Sequence, residues 1–242
     1  MNDVIIEITA VTKRYGTGAA AMTAVDGVTL SIRQGEFVSL MGPSGSGKTT
    51  LLNLIAGLDT PDSGRVAIQS RDLSTLADYE LADLRRHEIG FVFQSFNLLP
   101  ALMVDRNVGW PLQFSGYSRA EARRRAGEAL RRVKLTSYHG RYPAEFSGGE
   151  QQRIAIARAI VTSPSIILAD EPTGNLDSRT GQAILDLLRE LNREGVTVVM
   201  VTHSNLAAAY GDRTLEIQDG RIIRDVRTPT GPHAVAVEEL PA

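Results

Sequence analysis

Short apolar runs bounded by turn residues recur along the chain and predict buried strands. The run at 37–41 has almost no polar interruption, as is typical of a strand covered on both faces. Several runs end at clusters of Gly, Asp or Pro, which punctuate strands. The predicted strands cover residues 4–8, 28–32, 37–41, 65–68, 166–169, 196–201, 214–217 and 221–226.

Apolar residues at helical spacing separate several of these strands. From about residue 73 to 161 the pattern is mainly helical, and within it Ser118 and Glu121 form a capping box at the start of a helix. Gly195 is expected just past the end of a later helix. The predicted helices cover residues 50–56, 118–133, 154–160 and 178–193, with a short one near 206. Strands alternating with helices predict an α/β fold with a mostly parallel sheet and a helical insertion.

Composition narrows the classes of function. The 242 residues carry a net charge of −2 and no cysteine. A disulfide framework, a thiol nucleophile and a cysteine-ligated metal are therefore excluded, and we expect an intracellular protein. A strong positive excess, as expected of a protein that lives on nucleic acid, is missing. The apolar runs are far shorter than the ~20 residues that span a bilayer, and the first residues do not form a secretory signal. If the protein acts at a membrane, we expect it to do so through a partner.

A complete phosphate-binding motif, G-x-x-x-x-G-K-[ST], lies between a predicted strand and a predicted helix. Its glycines let backbone N–H groups approach polyphosphate oxygens, and the helix N-terminus adds positive potential. Lys48 can reach the β- and γ-phosphates, and the hydroxyl of Thr49, or of Thr50, can bind Mg²⁺. The alternative is a Gly/Ser-rich turn, against which the flanking elements argue. The motif is Gly42-Pro43-Ser44-Gly45-Ser46-Gly47-Lys48-Thr49.

Two adjacent carboxylates, Asp170 and Glu171, follow the apolar run 166–169. They come at the carboxyl end of a predicted parallel strand, where open α/β sheets bind ligands. Asp170 is suited to hold Mg²⁺ through a water, and Glu171 to polarise the water that attacks a γ-phosphate. An Asp-Glu turn ahead of a helix is the alternative, but the phosphate loop in the same chain favours the catalytic interpretation.

A second anion-binding helix end is predicted at Ser147, Gly148, Gly149 and Glu150, just before an amphipathic helix. Ser147 is a good N-cap, and the two glycines expose backbone amides. Simple helix capping is the alternative. Capping would need only the serine and would leave the glycines unexplained, since glycine costs about 1 kcal/mol inside a helix.

The phosphate loop, the segment 147–150 and the acidic pair soon after it, in that order along the chain, resemble the ATP-binding cassette (ABC) ATPases. The resemblance implies a P-loop NTPase core with a mostly parallel sheet, an N-terminal antiparallel β subdomain and a helical subdomain inserted at about 95–162. Residues 1–226 would form the ATPase domain and 227–242 a C-terminal tail. Two residues depart from the commonest signature, which has leucine in place of Phe146 and glutamine in place of Glu150.

The resemblance also implies roles for single residues. Tyr15 would stack on adenine, Gln94 would link the Mg²⁺ site to the helical subdomain, His203 would contact the γ-phosphate, and Asp177 would lie at a dimer seam. Outside the family, the first three would be a surface aromatic, a loop polar residue and a hydrogen-bonded histidine at a strand end. The catalytic candidates are Lys48, Gln94, Glu171 and His203; the metal candidates are Thr49, Gln94 and Asp170; the nucleotide-binding candidates are Tyr15, residues 42–50, residues 147–150 and Asp177.

The implied partners are a second copy of the chain and an integral membrane permease, with no nucleic acid. In a head-to-tail homodimer, the phosphate loop of one copy and residues 147–149 of the other would close on one ATP with Mg²⁺. The permease would dock around 96–102, which implies a peripheral position at the cytoplasmic face of the cell membrane. Three segments, 93–100, 142–143 and 173–178, look most like the subgroup that serves lipoprotein-releasing, macrolide-exporting and cell-division systems.

Two other functions use similar motifs. One is an ATP-gated regulatory module that acts on an envelope process through a membrane partner without transport; only the identity of the partner separates it from a transporter subunit. The other is a soluble ATPase of nucleic-acid repair or translation. That class would call for a long coiled coil, zinc cysteines or two cassettes in one chain, which the sequence lacks.

Overall fold

The computed structural model describes residues 4–18 and 21–228. The strands are β1 (Val4–Tyr15), β2 (Met22–Arg33), β3 (Phe37–Met41), β4 (Ser63–Ile68), β5 (Arg71–Asp72), β6 (Ile89–Val92), β7 (Ile166–Asp170), β8 (Thr197–Val201), β9 (Arg213–Gln218) and β10 (Arg221–Arg227). The α-helices are α1 (Lys48–Ile55), α2 (Asp78–Glu88), α3 (Val104–Phe114), α4 (Arg119–Arg132), α5 (Gly148–Ile160), α6 (Ser178–Arg193) and α7 (Asn205–Ala208).

A six-stranded sheet in the order β10-β9-β3-β8-β7-β6 forms the centre of the fold. All its pairs are parallel except β9 with the edge strand β10. Both faces are covered, because alternate residues of β8 belong to different apolar clusters: Val198 packs with residues of α5 and α6, and Val199 with residues of α1. Burial on both faces explains the uninterrupted apolar runs in the sequence.

A second sheet, in the order β2-β1-β4-β5, is antiparallel throughout. Its strand β1 pairs on both sides, so that Ile8 lies opposite Leu30 and Val66. The buried side chains of β1 share an apolar cluster with Leu51 and Leu52 of α1. The predicted α/β fold with a mostly parallel sheet and an N-terminal antiparallel β unit is confirmed.

Helices α3, α4 and α5 pack against one another and form the helical part of the chain. Val108 of α3, Leu130 of α4 and Ile154 of α5 are all fully buried in one cluster. These three helices fall inside the predicted insertion at 95–162; its limits and those of the ATPase domain stay predictions. Residues 229–242 of the predicted tail lie outside the described residues.

Two strands were missed, the two-residue strand β5 and the strand β6. The stretch from 73 to 161, predicted to be mainly helical, contains β6, which pairs in parallel with β7 through Gly90 and Ile167. It has four residues and follows α2 directly at Glu88, so neither length nor a turn signal marks it in the sequence. Its parallel partner lies more than seventy residues away, and only that pairing makes it a strand.

Two further features concern the helices. Gly195 follows the last turn of α6 with φ 103° and donates its N–H to the carbonyl of Asn192, which confirms its predicted place at the helix end. Within the described ranges, every helix is too short or too polar to cross a lipid bilayer.

Gly90 generates a prediction, because a Cβ there would lie 2.5 Å from the carbonyl oxygen of Ala159 on α5. We expect Gly90→Ala to push α5 off β6 and to lower the free energy of unfolding by about 1–3 kcal/mol. Urea unfolding followed by circular dichroism measures this change. The control is Gly181→Ala in α6, where a Cβ would make ordinary contact with Thr173, so stability should hold or rise. Equal stability of the two variants would contradict the packing argument.

Candidate functional site

The phosphate loop turns between β3 and α1 in a conformation that requires glycine. Gly42 and Gly47 have φ values of 152° and 99°. A Cβ on Gly42 would lie 2.0 Å from the carbonyl oxygen of Ile217, and one on Gly47 would lie 1.9 Å from that of Ala24. The loop is thus wedged against backbone on two sides, and this fixes where its N–H groups point.

Lys48 begins α1, and its ammonium group folds over the loop. Its Nζ donates to the carbonyl oxygens of Gly42 at 2.9 Å and Pro43 at 2.8 Å. The residue is only 8% exposed. Burial lowers the pKa of Lys48, while the carboxylates of Glu171 and Asp170 oppose that shift. The ammonium group is thus held at the entrance of the loop by carbonyl oxygens, which an anionic group could replace as acceptors.

A cleft of about 470 Å³ opens over the loop and brings most of the predicted residues together. Met22, Ala24 and Val201, which the sequence did not mark, also line it. The predicted residues on its wall are Tyr15, Ser44, Gly45, Ser46, Gly47, Lys48, Thr49, Thr50, Gln94, Asp170, Glu171 and His203.

Asp170 is the last residue of β7 and faces the start of α1. Its Oδ1 accepts a hydrogen bond from the hydroxyl of Thr49 at 3.3 Å. Burial raises the pKa of Asp170, and the neighbouring Glu171 acts in the same direction, while Thr49 and Lys48 oppose them. A carboxylate and a hydroxyl this close together are oxygen donors of the kind that Mg²⁺ prefers.

Glu171 points to a different neighbour from Asp170. Its backbone has φ 47°, a left-handed conformation that is rare for a side chain of this type, and its N–H donates to the carbonyl of Val201. Nδ1 of His203 lies 2.9 Å from Glu171 Oε1, which is hydrogen-bond distance. The His203 side chain is 71% exposed and that of Glu171 is 17% exposed. The two form a pair that opens into the cleft.

Gln94 follows β6 and is joined to the segment after β7 by two hydrogen bonds. Its Nε2 donates to Asn175 Oδ1 at 3.4 Å, and Asn175 Nδ2 donates to the carbonyl of Gln94 at 3.0 Å. A Cβ on Gly174 would lie 2.7 Å from Gln94 Nε2. Gln94 therefore occupies the cleft wall through contacts that its own sequence neighbourhood does not predict.

Tyr15 stands at the rim of the cleft at the end of β1. Its hydroxyl donates to Asp59 Oδ2 at 2.6 Å, and that hydrogen bond is the main cause of a raised Tyr15 pKa. Asp59 also accepts from Lys13 Nζ at 2.6 Å. Neither Asp59 nor Lys13 carries a sequence signal for this role, because 44 and 46 residues separate the paired positions.

The segment from Ser147 to Glu150 does not line this cleft. One Glu150 oxygen accepts from both the N–H and the hydroxyl of Ser147, at 2.9 and 2.7 Å, and these bonds lower the Glu150 pKa. The unusual glutamate thus caps α5. The glycine argument also needs correction, because a Cβ on Gly149 would lie 2.2 Å from Thr180 Cγ2, so packing against α6 is one reason for that glycine.

Asp177 is the N-cap of α6. Its Oδ1 accepts from the N–H groups of Arg179 at 3.1 Å and Thr180 at 3.0 Å. The hydrogen bonds to Thr180 are the main cause of a lowered Asp177 pKa. The residue has a structural role in the single chain, and its predicted place at a dimer seam stays a prediction.

Comparisons with known proteins agree with the geometry of the cleft. The ABC transporter family model matches residues 25–174. The Macrolide export ATP-binding/permease protein MacB of Brucella abortus (strain 2308) is 46% identical over 230 residues, which are 93% of this chain and 36% of that protein. The chain therefore spans about a third of the length of such curated relatives.

A shorter relative matches over nearly its whole length. The Uncharacterized ABC transporter ATP-binding protein YknY of Bacillus subtilis (strain 168) is 46% identical over 219 residues, 90% of this chain and 95% of that protein. Among solved structures, a dimeric post-hydrolysis state of the ATP-binding cassette MJ0796 bound to ADP and Pi is similar with a TM-score of 0.85 and 46% identity. It covers 92% of this chain and 98% of the other.

The raised pKa of Asp170 generates a prediction about stability. Above that pKa the carboxylate is charged and opposes folding, so we expect Asp170→Asn to raise the melting temperature at neutral pH without nucleotide or Mg²⁺. As the pH falls and the wild-type carboxyl becomes neutral, the difference should shrink. Calorimetric scans from neutral pH down to below the ordinary pKa of an aspartate, about 3.9, measure it.

Asp177→Asn is the matched control with the opposite sign. Its pKa is lowered, so its charged form stabilises the fold above the unfolded pKa, and that stabilisation is lost as the pH falls. We expect this variant to melt below the wild type at neutral pH. A lower melting temperature for Asp170→Asn as well would contradict the proposed cost of burying its charge.

Proposed function

The chain belongs to the ABC transporter family of ATPases, and we propose that two copies close head-to-tail on ATP to drive a conformational change in a membrane permease. One observation carries this proposal above all. A single cleft holds the phosphate loop, the acidic pair and His203, while residues 147–149 lie outside that cleft. The single chain thus presents a phosphate-binding half-site and, elsewhere, a second helix end suited to anions.

Binding of the triphosphate would begin at the phosphate loop. Backbone N–H groups from Gly45 to Thr49 would face the phosphate oxygens at the N-terminus of α1, where the helix adds positive potential. The ammonium of Lys48 would exchange its carbonyl acceptors at Gly42 and Pro43 for β- and γ-phosphate oxygens. Tyr15 at the rim would stack on the adenine ring.

The residues beside the loop fit a Mg²⁺ ion. The Thr49 hydroxyl and the Asp170 carboxylate already lie 3.3 Å apart, and Gln94 lines the same cleft with an amide oxygen available. These are hard oxygen donors, few in number, as Mg²⁺ sites with substrate phosphates require. When bound, the ion would neutralise charge on the phosphate oxygens.

Hydrolysis would depend on the adjacent pair. Glu171, which has a left-handed backbone and contacts His203, would accept a proton from the attacking water. His203, largely exposed in the cleft, would contact the γ-phosphate and so report whether that group is present. Asp170 faces Thr49 instead, so the two carboxylates have separate tasks.

The second copy would complete the site. The N-terminal end of α5 at Ser147 and Gly148 would meet the γ-phosphate bound to the partner copy, with Asp177 near the seam. The attraction of two helix N-termini for one triphosphate would be lost on hydrolysis, so the dimer would open. The dimeric state and the ADP and Pi named for MJ0796 support this arrangement.

A permease would contact the segment 96–102 and respond there to the closing and opening of the dimer. The protein would therefore lie at the inner face of the cell membrane. A groove of about 450 Å³ between α3 and α4 starts at Leu102 and includes Trp110, which is 40% exposed. Leu99, in the same region, is 39% exposed. The relative named MacB joins an ATP-binding part and a permease in one protein, which supports a permease as the partner.

Glu171→Gln tests the dimer and the base together. We expect the variant to bind ATP, to run at twice the monomer mass in size-exclusion chromatography with light scattering, and to lose turnover by about a hundredfold or more. Lys48→Ala, which lacks the loop cation, should stay monomeric with ATP. A Glu171→Gln protein that remains monomeric with ATP and Mg²⁺ would overturn the dimer, and near-normal turnover would remove Glu171 as the base.

Affinity capture from native membranes in mild detergent tests the partner. We expect an integral membrane protein to co-purify with the wild type and to be lost in Leu99→Asp. Leu206→Asp, which changes another exposed leucine on α7, should retain it. If no membrane protein is captured, a transport role fails; if the captured protein moves no substrate, the regulatory module is favoured instead.

A further inference from the structure

We propose that Gln152 and Arg158, two side chains of α5, are positioning residues that hold the loop carrying Gln94 and the segment after Glu171 in their working places. The inference rests on the proposed roles of Gln94 and Glu171. Neither side chain lines the nucleotide cleft. Both act through backbone carbonyls that lie within three residues of Gln94 or Glu171, which do line it.

Gln152 connects the two segments directly. Its side chain is fully buried, and its Nε2 donates to the carbonyl of Pro172 at 2.7 Å and to that of Phe93 at 3.4 Å. Pro172 follows Glu171 and Phe93 precedes Gln94, so a single amide bridges the approaches to both. Two carbonyl acceptors on one side fix which end of the amide is nitrogen.

The other end of the same amide strengthens the argument. Gln152 Oε1 is buried and finds no donor among the residues that the structure describes. Buried acceptors without a donor are rare and unfavourable, and each asks for an explanation. The hydrogen bonds that Nε2 donates explain why a glutamine is present here. An apolar side chain at this position would leave the carbonyls of Pro172 and Phe93 without that donor.

Arg158 holds the far side of the loop. Its guanidinium donates to the carbonyls of Phe96 at 3.0 Å and Asn97 at 2.6 Å. Burial lowers the pKa of Arg158, and among the described residues no carboxylate offsets that shift. A partly desolvated cation whose acceptors are backbone carbonyls is an unusual arrangement, and the fork geometry of arginine suits two adjacent carbonyls.

The held loop is in a conformation that needs support. Phe96 and Asn97 have φ values of 63° and 50°, two successive left-handed residues without a glycine. Every carbonyl from residue 93 to 97 accepts a hydrogen bond. The donors are Gln152 and the Phe96 N–H, Asn175, the Asn97 N–H, and Arg158 for the last two carbonyls.

One helix therefore fixes both catalytic segments. α5 begins at Gly148, beside the proposed second anion site, and carries Gln152 and Arg158 within the next three turns. A shift of its N-terminus would move the carbonyl ties of Gln94 and Glu171 with it. Loosening these ties should slow hydrolysis while leaving the phosphate loop, and hence ATP binding, intact.

The experiment compares Gln152→Met and Arg158→Met with Arg153→Met in the full chain. Arg153 is on the same helix and donates to a backbone carbonyl, that of Val133 at 2.9 Å, away from both segments. We expect kcat to fall about ten- to a hundredfold in the first two variants, as for a misplaced catalytic group. The Kd for ATP, measured by fluorescence titration, should stay within about twofold, and the Arg153→Met kcat should resemble the wild type.

Hydrogen exchange supplies a readout that does not depend on turnover. The N–H groups of Phe96 and Asn97 are bonded within the loop, so a peptide that covers 93–97 should exchange faster in the two test variants than in Arg153→Met. Arg158→Lys keeps the charge with fewer donors and should be intermediate in both kcat and exchange. If a Met variant does not fold, Arg158→Lys serves as the test variant by itself. An unchanged kcat and exchange rate in Arg158→Lys would then overturn the inference.

The outcomes separate this inference from the proposed function. Equal kcat and exchange in all three Met variants, with Glu171→Gln inactive, would overturn the positioning role and leave the ATPase mechanism standing. A kcat loss matched by an equal loss of ATP affinity would mean general damage and would also overturn it. Near-normal turnover in Glu171→Gln would instead contradict the proposed function itself.

Discussion

The parallel pairing of β3, β8 and β7 is the constraint on which the rest of the structure depends. Its register places Leu40 opposite Val201, and Val201 opposite Asp170, so three strands finish at one edge of the sheet. Asp170 ends β7, and Lys48, Glu171 and His203 follow the strand ends. Backbone hydrogen bonds between strands thus fix the distances among groups that are far apart in the sequence.

The cleft at this edge carries a cost in stability. Burial lowers the pKa of Lys48 and raises that of Asp170, which means that in each case the charged form is the disfavoured one. Glu171 adds a left-handed backbone. The burial of Lys48 and Asp170 also strengthens their electrostatic interactions with a charged ligand. The buried apolar side chains of β3, β7 and β8 offset that cost.

Helix α5 shows how one element can serve packing and chemistry at once. Gly90 lets it lie against β6, and Gly149 lets its first turn approach Thr180 of α6. The same helix donates side chains to the carbonyls around Gln94 and Glu171. A glycine pair that resembles an anion-binding signature therefore also has a steric reason in the single chain, and a motif alone does not separate the two.

The sequence by itself determined the α/β class, the phosphate loop, the acidic pair and the capped helices, because these depend on local spacing and on backbone conformations that glycine adopts. Only the tertiary structure decided that β6 is a strand, that His203 meets Glu171 across 32 residues, and that Tyr15 is tied to Asp59. The ties of Gln152 and Arg158 belong to the same group. Such contacts join distant segments, and their geometry comes from sheet register and helix packing, which no local pattern encodes.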